Sequence, residues 1–333
     1  MTLAPGKALR VVLGETLAEL ATEDPRIVVL DADVGSSSGG EIFERAHPER
    51  FVQCGIAEQN MLGVAAGLAT VGFIPVVSAF SCFVVGRAFD SIRVLVAQTG
   101  LDVKIIGGYT GLLTGMTGKT HQMFDDLALM RSLAGVVIVA PADEVEARQA
   151  LRAICARPGP AYVQITRDPS PTLFPADHLF ELGKAVTLRH GDDVTLMSTG
   201  VESARVYEAA GILAGRGIES TVLHISTVKP IDEAAIVRAA AQTGFVVVIE
   251  EQSVLGGLGG AVAEVVADRH PVTVKRLGVM DTYGESGPNN ALLEKYRLSP
   301  GAIAEDVERL LNDAGRRPMA GSRAPQLVGA PTR

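Results

Sequence analysis

Runs of β-branched apolar residues alternate with segments of helical periodicity along almost the whole chain, and that alternation restricts the fold more than any other feature. Residues 26–30, 74–78, 103–106, 136–140 and 161–165 read as buried strands, and residues 8–21, 58–70, 87–97, 124–131 and 144–155 as helices between them. Strands that alternate with helices form a parallel sheet covered on both faces, because each helix carries the chain back to start the next strand in the same direction. Three prolines within residues 167–175 interrupt the pattern and predict an extended connector. A second α/β pattern follows, with strands at 194–198, 220–224, 246–249 and 273–277 and helices at 203–216, 232–243, 259–268 and 302–311. The expected fold is therefore α/β with two doubly wound domains, at 1–178 and 179–314. A tail at 315–333, rich in Gly, Pro, Ser and Arg and without periodicity, is expected to be disordered.

Composition narrows the function classes. With 47% hydrophobic residues and 20% charged ones, the chain can bury large cores. A net charge of −8 disfavours nucleic acid and anionic membrane as partners. Cys54, Cys82 and Cys155 show neither metal-ligand spacing nor a disulfide framework and are expected to be reduced and buried. With no leader pattern at the N-terminus and no apolar run of membrane-spanning length, the expected location is the cytoplasm.

Glu58 is the residue most suggestive of chemistry. It opens a helix otherwise made of small and apolar residues, in which Gly63, Ala66, Gly67 and Thr70 recur at helical spacing and permit close approach of another backbone. A carboxyl in such a setting loses water, which predicts a raised pKa and suits proton sharing. A first-turn acid facing the positive end of the helix dipole is the alternative.

The segment 54–69, together with Phe80-Ser-Cys-Phe83, Arg87-Ala-Phe-Asp-Ser-Ile-Arg93 and Thr120-His-Gln122, resembles the C-terminal half of transketolase, as found in the small subunit where that enzyme is split over two chains. Val28-Val-Leu-Asp-Ala-Asp33, Ala128-Leu-Met-Arg-Ser-Leu133, Lys229-Pro-Ile-Asp232 and Gly284-Glu-Ser-Gly287 fall in the family's order, so the resemblance spans about residues 7–312. It implies a pyrimidine-binding domain followed by a transketolase C-terminal domain, with thiamine diphosphate and Mg²⁺ as cofactors. It also implies transfer of a two-carbon ketol unit from a ketose to an aldose.

The same resemblance suggests individual roles. Glu58 falls on the glutamate that hydrogen-bonds a ring nitrogen of the cofactor's aminopyrimidine, and Phe80 and Phe83 on rings around it. A further tyrosine of that ring set is Gly86 here. Asp33 falls on an acid near the cofactor and the subunit contact, or else caps a turn. His121 falls on a histidine that reaches the substrate's hydroxyl end, and Arg167 on the arginine that holds a sugar phosphate. Ser37 falls near a serine with that second task, with Ser36–Ser38 leaving its register open by one.

Several positions depart from the pattern. An arginine and a histidine of the phosphate site correspond to Gly6 and Tyr109, an aspartate that reads a sugar hydroxyl corresponds to Thr117, and Lys119 stands where a small residue or proline is usual. These changes point away from ordinary pentose and hexose phosphates. The family's Gly-Asp-Gly segment, which holds the diphosphate through Mg²⁺, does not occur in this sequence. The resemblance therefore implies an N-terminal partner chain and an α2β2 heterotetramer. Gly256-Gly-Leu-Gly-Gly260 reads either as a glycine-rich helix entry or as a phosphate cradle. The β-subunit of a 2-oxoacid dehydrogenase first component shares the architecture. 1-Deoxyxylulose-phosphate synthase is a single-chain relative, and a catalytically silent scaffold subunit is a third class.

Overall fold

The structure, a computed structural model, describes residues 3–316. Its first unit is built on a seven-stranded sheet, in the spatial order Thr227–Lys229, Val137–Val139, Ala161–Gln164, Lys104–Gly108, Ile74–Phe80, Ile27–Asp31 and Phe51–Gln53. Every pairing is parallel except the one made by Thr227–Lys229. The central strands are buried along their whole length, which accounts for their unbroken apolar runs. The second unit is a five-stranded sheet in the order Thr273–Val279, Phe245–Ser253, Val194–Ser198, Ser220–His224 and Val186–Arg189, parallel but for the last.

The two units are interlocked. The strand Thr227–Lys229 leaves the second unit and pairs antiparallel on the edge of the first sheet, with Thr227 opposite Val139. Lys229 Nζ donates to the carbonyls of Arg131 and Leu133 at 3.0 and 2.5 Å, and Asp232 caps the helix Glu233–Thr243 by accepting from the Ala235 N–H at 3.0 Å. The Lys-Pro-Ile-Asp run is thus a joint between the units. A buried pair joins them again: His224 Nε2 lies 2.9 Å from Glu146 Oε2, and neither side chain reaches solvent.

Several expectations need correction. The proline-rich connector is partly a strand: Pro169–Pro171 pairs antiparallel with Pro5–Ala8, a use of proline that a sheet edge tolerates. The expected helix 87–97 is interrupted. Only Phe89–Ser91 is α-helical, between the π-helical segments Cys82–Arg87 and Ile92–Ala97. Cys155 is buried as expected, whereas Cys54 and Cys82 are half-buried. Of the tail expected from 315, only Gly315 and Arg316 fall among the described residues. Arg316 donates to the Thr243 and Gly244 carbonyls at 2.6 and 3.1 Å, and the rest of the expected tail lies outside the described residues. The helix entry at Leu258 holds no room for a foreign anion, because the Glu250 carboxylate already accepts from the Leu258 and Gly259 N–H groups at 2.8 Å each. Among the described residues, no helix is long and apolar enough to cross a membrane.

Candidate active site

Parallel strands end on one edge of a sheet, and the loops that follow them gather there. The carboxyl edge of the first sheet collects every candidate residue. Asp33 and Ser37 follow Ile27–Asp31, and Glu58 follows Phe51–Gln53. Phe80 ends Ile74–Phe80, with Phe83 in the next turn. Tyr109, Thr117, Lys119 and His121 follow Lys104–Gly108, and Arg167 follows Ala161–Gln164.

Six of them form one continuous cluster. Glu58 is 2% exposed, and its Oε2 accepts from Arg87 Nη1 at 2.6 Å. The Arg87 guanidinium lies 4.7 Å from the centre of the Phe83 ring. Phe83 is 6.0 Å from Phe80, and Phe80 stacks on Tyr109 at 3.9 Å. Arg167 lies over the other end of this run, 5.5 Å from the Tyr109 ring. His121 meets Phe83 edge-on at 5.3 Å and Phe80 at 6.0 Å. A carboxylate thus stands at one end of an aromatic wall and a guanidinium at the other.

The site differs from expectation in four places. Glu58 is buried, but it is not alone among apolar groups, because Arg87 neutralises it. Sequence patterning gives Arg87 no role; it lies 29 residues away, a separation that helical periodicity does not reach. Phe80 is nearly covered by Tyr109, so Phe83 presents more open ring. Asp33 is not the turn cap. It is exposed at φ 63°, and the capping acid is Asp31, whose Oδ1 accepts from the Val34 N–H at 2.8 Å while Oδ2 accepts from Ser38 Oγ at 3.2 Å. Burial pushes the Asp31 carboxyl above its usual range despite these bonds. The Thr117 hydroxyl is occupied by the Thr114 carbonyl at 2.9 Å.

Ser37 is half-buried in the short helix Gly35–Ser38, and Lys119 is exposed. Gly6 is closed to any side chain in this conformation: a Cβ there would collide with the Ser170 carbonyl and Glu144 Oε2. The arginine of the family pattern is therefore excluded by packing as well as missing from the sequence. Burial holds the Cys82 thiol, near Glu58 and Arg87, up at about 12, so it is a neutral wall rather than a nucleophile.

The loop that carries Tyr109 through His121 is held by the second unit. Glu251 Oε1 accepts from the Leu113 N–H at 2.9 Å, and Gln122 Nε2 donates to the Glu285 carbonyl at 3.0 Å. Glu251 also shares Arg205 with Glu202 in a buried triad. Gly118 and Gly284 face Ser286 and Gln122 so closely that neither could carry a Cβ. Gly284-Glu-Ser-Gly287 is thus a docking surface for the His121 loop. Among the described residues, no group of three His, Cys, Asp or Glu could hold a metal ion.

Comparison with known proteins agrees with this architecture. Residues 6–171 match the family described as transketolase, pyrimidine binding domain, and residues 183–303 match transketolase, C-terminal domain. The chain is 40% identical over 309 residues to the 6-deoxy-6-sulfo-D-fructose transketolase subunit SqwH of Clostridium sp. (strain MSTE9), covering 93% of this chain and 95% of that one. It is 36% identical over 300 residues to a subunit of the apulose-4-phosphate transketolase of Phocaeicola vulgatus, covering 90% and 96%. A solved structure described as a split gene transketolase, inactive beta4 tetramer, superposes with a TM-score of 0.86 at 43% identity, over 92% of this chain and 99% of that one. Two domain families matched in order, and relatives of the same length that are themselves subunits, establish that the chain belongs to the transketolase family.

Proposed function

We propose that this chain is the C-terminal subunit of a split, thiamine-diphosphate-dependent transketolase. It would transfer a two-carbon ketol unit from a ketose donor to an aldose acceptor, together with an N-terminal partner chain in an α2β2 complex. The partner would carry the Gly-Asp-Gly segment and hold the diphosphate and Mg²⁺. Residues 1–178 would form the pyrimidine-binding domain and 179–314 the C-terminal domain. The observation that carries the reading is the continuous run from Glu58 through Arg87, Phe83, Phe80 and Tyr109 to Arg167, with His121 against its edge.

The residues present fit the cofactor. Glu58 has one carboxylate oxygen engaged by Arg87, and its buried position lets the acid meet a ring nitrogen without competing water. Phe83 offers an open ring for a flat heterocycle, with Phe80 behind it. Thiamine diphosphate, when bound, supplies the carbanion chemistry that breaks and forms the C–C bond. The chain's own part is to present the Glu58 carboxyl to that ring nitrogen and exclude water from the aromatic wall. Asp33 would lie on the cofactor and subunit side, and His121 would donate to a substrate oxygen. The Arg167 fork is placed to bind a terminal oxyanion, with Ser37 and Lys119 at the mouth.

The substrate we infer is one other than the usual sugar phosphates. Tyr109 offers a stacked neutral ring where the family has a histidine, Gly6 has no room for a side chain, and Thr117 spends its hydroxyl on a backbone carbonyl. Arg167 and Lys119 remain as cations. That set suits a sulfonate, or a phosphate on a shorter or branched sugar. Two relatives are named for such substrates, one for a sulfofructose and one for apulose 4-phosphate, and they support the same direction. A donor and acceptor panel on the reconstituted complex tests it. Sulfonated or branched ketoses should show the higher kcat/KM, and a wide preference for xylulose 5-phosphate with ribose 5-phosphate would sink the inference.

A further inference from the structure

Arg167 has a potential partner next to it in the chain. Asp168 is as exposed as Arg167, 42% against 40%, and a carboxylate that pairs with a guanidinium does so at about 2.7–2.9 Å. Here the pair stays open, with the nearest N···O distance 3.9 Å. A residue of the second unit holds Asp168 instead: Asn289 Nδ2, at the start of the helix Asn289–Lys295, donates to Asp168 Oδ2. The seat for Asn289 is built into the backbone. Its Oδ1 packs where a Cβ on Gly115 would have to stand, Gly115 takes φ +53°, and the Gly115 carbonyl accepts from the Gly287 N–H at 3.4 Å.

We propose that Asn289 is a positioning residue of the anion site: by engaging Asp168 it keeps that carboxylate from closing on Arg167 and leaves the guanidinium fork open to the terminal anion of the substrate. The proposal rests on reading Arg167 as the anion receptor. One fork can serve one bidentate partner at a time, so Asp168 and the substrate anion compete for it. A carboxylate on the adjacent residue competes at an effective concentration in the millimolar range or above. If release of Asp168 cut the open fraction of Arg167 to about one tenth, the apparent KM of an anionic substrate would rise about tenfold, because affinity scales with the competent fraction. The C-terminal domain thereby acts on substrate choice from outside the substrate's reach.

The test is a double-mutant cycle on the complex reconstituted with its N-terminal partner. Asn289→Ala should raise KM for phosphorylated and sulfonated ketose donors by about tenfold. It should leave kcat within about twofold and leave KM for the uncharged donor erythrulose unchanged. In an Asp168→Asn background, Asn289→Ala should have no effect, since no competing carboxylate remains. A residue that merely supports the fold would lower kcat or shift KM for charged and uncharged donors alike, and its effect would persist in the Asp168→Asn background; either result overturns the proposal. If Asn289→Ala fails to assemble, Asn289→Ser, which is too short to reach Asp168, carries the same cycle. Arg167→Ala separates the two layers. If it leaves KM for anionic donors unchanged, the receptor reading fails. If it raises KM while Asn289→Ala does not, the positioning role alone fails.

Discussion

A carboxyl at 2% exposure must be protonated or paired, and Glu58 is paired with an arginine that is itself 47% exposed. That asymmetry decides what its substitution does. Truncating one partner of a fully buried ion pair strands the other charge and costs about 3–5 kcal/mol. Arg87 can instead turn to water, so Glu58 can be altered at little structural cost. We predict that Glu58→Gln keeps assembly, because the amide fills the same volume and can still accept from Arg87. Turnover at saturating cofactor should fall by about 10²–10⁴, the usual scale of a lost acid–base contribution. Near-normal turnover would return Glu58 to the role of a first-turn acid, and full activity of Glu58→Ala in the complex would identify a silent scaffold.

At the scale of elements, the helix Glu58–Thr70 has two faces in different surroundings. Met61, Leu62, Ala65 and Ala66 are buried against the sheet. Gly63 and Gly67 lie on the opposite side, where a Cβ would meet nothing within 4 Å, beside Val64 at 36% exposure and near Val71 at 72%. A helix face on which two glycines one turn apart stand open leaves room for a second backbone. Gly67→Leu should therefore fold normally as an isolated chain and fail to assemble. Sedimentation of the mixed subunits is the measurement, and an unchanged mass would contradict the interface. By contrast, the π-helical turns around Phe89–Ser91 re-aim the chain between Phe83 and the sheet, and no apolar repeat announces them.

The whole molecule should respond to pH in a definite sense. Burial alone would raise Glu146, but the charge of His224 and the hydrogen bonds from His224 and the Ala142 N–H outweigh it and hold the carboxyl below its usual range. An acid depressed in the folded state adds stability above its unfolded pKa, and that stability is lost as pH falls through the folded value. Burial pushes Glu202 and Glu250 up to about 7 and Asp126 up to about 6. A raised acid has the opposite sign: the folded state binds the proton more tightly, so stability declines as pH climbs from about 4.5 towards about 7. At roughly 1.4 kcal/mol per pKa unit, Glu250 alone contributes on the order of 3 kcal/mol to that decline. Tm should thus peak near pH 5 and fall towards pH 8, with a shallower fall in Glu250→Gln. A Tm that rises steadily to pH 8 would contradict this assignment. A second whole-molecule prediction concerns the partner. Because the chain has no Gly-Asp-Gly, calorimetry should show tight Mg²⁺-dependent thiamine diphosphate binding only after a large subunit is added.

The two doubly wound units were legible in the sequence, because buried parallel strands must be apolar throughout and their helices must recur at 3.6 residues. Glu58, Phe83, His121 and Arg167 were singled out through the family resemblance, and the structure brings them into one cluster, while their roles remain a proposal. The interlocking of the units was not legible. Thr227–Lys229 is too short to carry a pattern and pairs with a strand almost ninety positions earlier, and Pro169–Pro171 hides as a strand behind its prolines. Long-range polar partners were equally hidden. Arg87 finds Glu58, Glu251 finds the Leu113 N–H, and Asn289 finds Asp168 across 121 positions. Apolar burial repeats with the geometry of an element and therefore leaves a period in the sequence. A hydrogen bond between two loops needs only that both arrive at the same place, and only the tertiary structure decides which loops do.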